Sequence, residues 1–132
     1  MKGMSKAFPS PEDLFAIAAQ TVESFPDVFR TPAQAVVIRV EDFIPPDMLD
    51  DGEDEWDITG LYTGVPMTLK RPDDIPQGPD TVWLFRMPIL DELSDRAGET
   101  LEALVAHVTV HEFAHHFGWS DADIARIDPW WE

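Results

Sequence analysis

Between His111 and Asp121 the chain brings together residue types that bind metal ions and move protons. The run begins His111-Glu112-Phe113-Ala114-His115 and continues His116-Phe117-Gly118-Trp119-Ser120-Asp121. On a helix, positions four apart lie about 40° apart around the axis and one turn apart along it, so the imidazoles of His111 and His115 can reach one ion. Glu112 sits about 100° from His111 and about 60° from His115. It is thus placed to touch a water at the metal rather than the metal itself, which is the position of a general base. Gly118 falls where a helix commonly ends in a positive-φ residue, and the sharp turn it permits could fold Asp121 back. A carboxylate oxygen is a competent zinc ligand, so His111, His115 and Asp121 could fill three positions and leave a fourth open, the pattern of a catalytic rather than a structural site. At average composition H-E-x-x-H arises on the order of once per two hundred chains of this size. Requiring the glycine and the aspartate as well lowers that to roughly one in several tens of thousands.

Neighbouring residues read differently. His107 extends the row to 107, 111 and 115, but eight helical residues span about 12 Å, too far for His107 and His115 to share an ion, so His107 is expected to be a packed or exposed histidine. His116 points about 100° away from His115 and is open to either a supporting contact or a plain structural role. Asp121 beside Ser120 could also serve as a helix cap. Tyr62 is the only tyrosine, and reads either as edge packing or as part of a cleft that takes an extended peptide.

Helix and strand patterns must position this run. Ser10-Pro11-Glu12-Asp13 is a helix start, followed by Leu14, Ile17, Ala18, Thr21 and Val22 at helical spacing and stopped by Pro26. Residues 35–40 are β-branched and bounded by Pro32 and Pro45, which predicts a strand in a central position. Residues 44–57 hold Pro45, Pro46 and seven acids between Asp47 and Asp57, and read as a solvated loop. A glycine-punctuated segment from Gly60 to Met67 predicts a short strand at an edge, and residues 70–79 a turn-rich connection. Thr81 to Arg86 is a further strand, closed by Pro88. From Glu99 to Phe117 there is neither proline nor glycine, and two apolar stripes, including Leu101, Leu104, Val105, Val108, Phe113 and Phe117, predict a largely buried helix ending at Gly118. A short helix from Ser120 to Ile127 follows, and Trp83, Trp119, Trp130 and Trp131 are read as packing residues.

The H-E-x-x-H-x-x-G-x-x-D stretch resembles the elongated zincin signature of the metzincin type, with Asp in place of the usual third His. The chain also resembles a small bacterial family of minimal zincin-like metallopeptidases in its H-E-x-x-H-H-F-G-x-S-D run, in Gly60-Leu61-Tyr62-Thr63-Gly64-Val65-Pro66, and in a strand from Trp83 ending near Pro88. That resemblance implies His111, His115 and Asp121 as Zn²⁺ ligands and Glu112 as the catalytic base. It also implies an α+β, zincin-like fold, a small mixed sheet packed against an N-terminal helix and a buried active-site helix. Larger metzincins carry a Met-containing turn after the third ligand, whereas here none of the eleven residues following Asp121 is Met, so any floor beneath the metal must come from elsewhere. Tyr62, His116 and Arg86 are the candidates for the group that stabilises the developing oxyanion.

Composition narrows the remaining options. The 132 residues suit one domain spanning 1–132, and 44% hydrophobic with 27% charged residues allows a real core. A formal charge of −17 opposes nucleic acid and anionic membrane surfaces, and with them a metal-dependent ribonuclease. Zero cysteines exclude disulfides, thiolate metal sites and a Cys nucleophile. The six-residue apolar stretch Leu14 to Ala19 is too short for a signal or a transmembrane segment, so a cytoplasmic location is expected. The expected function is zinc-dependent hydrolysis of a peptide bond in a peptide or protein substrate, the alternative being a catalytically weak or inactive metal-binding interaction protein.

Overall fold

The structure, a computed structural model, describes residues 9–64 and 79–118. The first helix, α1 (Pro11–Glu23), starts where the sequence predicts, on a reciprocal cap. Asp13 N–H donates to Ser10 Oγ at 3.1 Å, and Ser10 N–H donates to Asp13 Oδ2 at 2.9 Å. Its stripe of Leu14, Ala18 and Val22 is buried. A short helix that the sequence reading does not include, α2 (Asp27–Ala33), follows Pro26 at once. Pro26 ends one helix and, with its φ fixed near the helical value, leads directly into the next.

Strand β1 (Val37–Glu41) comes next, then an exposed acidic segment broken by two single 3₁₀ turns, Pro46–Met48 and Glu55–Asp57. Strands β2 (Gly60–Thr63) and β3 (Thr81–Phe85) complete a mixed sheet of order β1-β3-β2. β1 runs parallel to β3, with Val37 opposite Thr81, and β2 runs antiparallel to it, with Gly60 opposite Leu84. This corrects one expectation: among the described residues β1 is an edge strand and β3 the central one. The burial shows why, since Val82, Leu84 and Phe85 are fully buried whereas Val37 is 40% exposed. The edge position expected for the Gly60 strand is found among the described residues.

Helix α3 (Arg86–Asp95) begins at the residue after β3 ends, so Pro88 does not close a strand but occupies the first turn of a helix. That position needs no intrahelical N–H, which is why proline is tolerated there. α4 (Leu101–Phe117) is the predicted buried helix, capped at its start by Thr100 Oγ1 accepting from Ala103 N–H at 3.0 Å, and at its end by Gly118 at φ 79°. Only glycine takes that left-handed turn without a Cβ penalty. α1 packs on α4 and β1, and α4 lies against β2 and β3. Their shared core joins Leu14, Ala18 and Val22 to Val82, Leu84, Leu104, Val105, Val108, Phe113 and Phe117. Among the described residues no helix is long and apolar enough to cross a membrane.

Candidate metal centre

The two faces of α4 have different tasks. Phe113 and Phe117 point into the core, where the Phe25 ring meets Phe113 edge-on at 5.6 Å and Phe29 lies 5.1 Å from Phe117. Aromatic contacts of this kind add about 0.5–1.5 kcal/mol each to the burial of the rings. With that side anchored, another side of the helix carries His111, Glu112 and His115, of which Glu112 and His115 line a cleft beside β2. His115 is exposed there, and Glu112 is largely buried against the strand.

Donor atoms of His111, Glu112 and His115 all lie within 4.8 Å of one another. The imidazoles of His111 and His115 meet edge to face, with centroids 5.2 Å apart and planes at 81°. Ligands of a tetrahedral ion with bonds near 2.1 Å stand about 3.4 Å apart, a separation that small χ rotations can reach from here. Two imidazole nitrogens with a carboxylate beside them are a donor set suited to a divalent metal ion. His107 stands outside the trio, its ring 6.4 Å from that of His111, and burial first and the charge of His111 second lower its pKa. Asp121, expected as the third ligand, lies outside the described residues, as do the predicted short helix from Ser120 to Ile127 and Trp119, Trp130 and Trp131. Trp83, by contrast, is a packing residue: its Nε1–H donates to Thr63 Oγ1 at 3.0 Å and Arg39 caps its ring.

Leu61, Tyr62, Gly64, Glu112 and His115 line a cleft of about 300 Å³. β2 comes this close to α4 because residue 60 has no side chain. A Cβ on Gly60 would stand 2.8 Å from Val108 Cγ1, 3.1 Å from Glu112 Cγ and 3.1 Å from the Trp83 carbonyl oxygen. Burial against the strand pushes the Glu112 carboxyl up to about 7, because the charged form loses water that nothing there replaces. The Tyr62 phenol is likewise held above its ordinary range, by burial first and then by the charge of Asp80 and a hydrogen bond to it.

Of the three residues expected to serve an oxyanion, Tyr62 lines the cleft and His116 is in contact with it. The Tyr62 hydroxyl lies 3.2 Å from His116 Nδ1. Arg86 does not line the cleft: its Nε–H donates to Asp42 Oδ1 at 2.8 Å and its Nη1 to the Pro9 carbonyl at 2.9 Å, tying α3 to the start of α1. Sequence reasoning missed Asp80, whose carboxylate lies 3.2 Å from His116 Nδ1. An aspartate one residue before a strand carries no sequence signal that separates it from an ordinary turn residue.

A family model described as zincin-like metallopeptidase matches residues 33–131, about three quarters of the 132 residues. The matched span holds the whole sheet, α3 and α4, and leaves out α1. A search of curated proteins finds none that matches the chain.

Proposed function

The chain belongs to the zincin-like metallopeptidase family, and from that premise we propose that it hydrolyses a peptide bond, with one zinc ion held by His111, His115 and Asp121 and with Glu112 as general base. The observation that carries this reading is the convergence of the donor atoms of His111, Glu112 and His115, two of which, Glu112 and His115, line a cleft whose other wall is the edge strand β2. Zinc supplies Lewis acidity towards the scissile carbonyl and lowers the pKa of a water towards 7. Glu112 takes the water's proton at a carboxylate oxygen as the new C–O bond forms. It delivers that proton to the amine nitrogen as the C–N bond breaks. Its burial suits this task, because a group that must both accept and release a proton works best with a pKa near the working pH. Among the described residues β2 pairs with β3 alone, which supports its other edge as the ledge for an extended peptide or protein substrate.

The test is metal content by elemental analysis of tag-free protein, run with His111→Ala and Asp121→Ala, followed by a peptide-library cleavage screen with Glu112→Gln as control. The reading expects about one zinc per chain, loss of the ion in both variants, and cleavage that disappears in Glu112→Gln while the ion stays. A parent that takes up no zinc near neutral pH overturns it, and cleavage that persists in Glu112→Gln overturns the role of the base. Zinc without any cleavage would favour the metal-binding interaction protein instead.

A further inference from the structure

The last turn of α4 carries two adjacent imidazoles with opposite surroundings. His115 is exposed at the cleft, whereas His116, about 100° further round the axis, is only 4% exposed and faces the sheet. His116 Nδ1 stands 3.2 Å from Asp80 Oδ2 and 3.2 Å from the Tyr62 hydroxyl, and the Tyr62 ring meets the imidazole edge-on at 5.6 Å. Tyr62 also hydrogen-bonds to Asp80. A carboxylate offers only acceptors, so Asp80 draws the Nδ1 proton of His116 and the hydroxyl proton of Tyr62 towards itself. The three side chains come from three elements: Tyr62 from β2, Asp80 from the residue before β3, and His116 from α4.

This contact does something the core cannot. Packing of Phe113 and Phe117 against Phe25 and Phe29 anchors one side of α4, but it makes no directional bond to β2. Hydrogen bonds to a largely buried carboxylate are directional, and losing one leaves a costly unsatisfied group. The trio therefore adds a directional tie between the last turn of α4 and β2, and the residue next to His116 on that turn is His115.

We propose that Tyr62, Asp80 and His116 are positioning residues that clamp the last turn of α4 to the sheet and so hold His115 in the orientation that binds the metal. The proposal rests on the metal-site reading of His111 and His115.

The experiment measures zinc affinity by competition with a chromophoric chelator, and the visible absorption band of the cobalt(II) form, for the full chain and for Tyr62→Phe, Asp80→Ala and Asp80→Asn. Loss of groups that orient a ligand typically lowers metal affinity about 10–100-fold. That loss, with a shifted cobalt band, is expected for Tyr62→Phe and Asp80→Ala, while Asp80→Asn, which keeps an acceptor oxygen, recovers much of it. Unchanged affinity and an unchanged band in both Tyr62→Phe and Asp80→Ala overturn the proposal, even if the variants melt earlier, because the contact is then structural only. Should Asp80→Ala fail to fold, Tyr62→Phe decides alone, since it removes a single oxygen atom. If the parent binds neither ion, the metal-site reading falls and this proposal with it. If the parent binds and the variants match it, only this proposal falls.

Discussion

Glu112→Gln in metal-free protein offers a direct measure of what β2 does to the site. The carboxyl has an ordinary value of 4.5 and is pushed up to about 7 by burial. Below pH 4.5 the group is protonated in both the folded and unfolded chain, and burial carries no ionic penalty. Between 4.5 and 7 the unfolded chain ionises while the folded one keeps its proton, so stability falls by about 1.4 kcal/mol per pH unit. Above 7 both forms are ionised and the full cost persists, at most about 3 kcal/mol. Glutamine keeps the shape and never ionises, so the variant's stability relative to the parent should rise by about 3 kcal/mol from pH 4 to pH 8. Urea unfolding of chelator-treated parent and variant at both pH values reads this directly. With a slope of about 1–3 kcal/mol per M, the midpoint difference between the two proteins should change by about 1–3 M. All other titrating groups cancel in the comparison of parent and variant. A pH-independent difference would refute the reasoning, because it would mean that the carboxylate is solvated or already paired in the folded chain.

Three further outcomes follow from the packing. Gly60→Ala places a Cβ 2.8 Å from Val108 Cγ1 and 3.1 Å from Glu112 Cγ; overpacking of this kind costs about 1–3 kcal/mol, visible as a lower urea midpoint, and the displaced Glu112 should slow any peptide cleavage beyond what the stability loss explains. Phe113→Ala removes a fully buried ring that also meets Phe25 and should cost about 3–5 kcal/mol in thermal or urea unfolding. Ser10→Ala breaks the reciprocal cap of α1 and should cost about 1 kcal/mol while leaving metal uptake per folded chain unchanged, since α1 touches the site only through the core.

The helices that matter most were legible because their signals are local. α1 announces itself through Ser10, Pro11 and Asp13, and α4 through an unbroken run that ends at Gly118, where the structure finds the left-handed turn. Periodicity within one helix also sufficed to place His111, Glu112 and His115 together, since their separations depend only on helix geometry. α2 and α3 were not legible: a proline can stop one element or stand at the start of a helix, as Pro26 does just before α2 and Pro88 in the first turn of α3, and only the flanking packing chooses.

Strand order likewise lay beyond the sequence. Residues 35–40 and 81–86 both read as strands, and which of them is central depends on pairings made across the chain rather than along it. The same reason explains Asp80, which gains its role only when the fold carries it to His116. It explains Gly60 too, whose missing Cβ matters only because α4 arrives there. The sequence by itself determined which residues could form a metal centre, because helical spacing puts them on one face. Tertiary structure decided what surrounds that face, because burial, the raised Glu112 carboxyl and the Tyr62–Asp80–His116 contact all arise between elements distant in sequence.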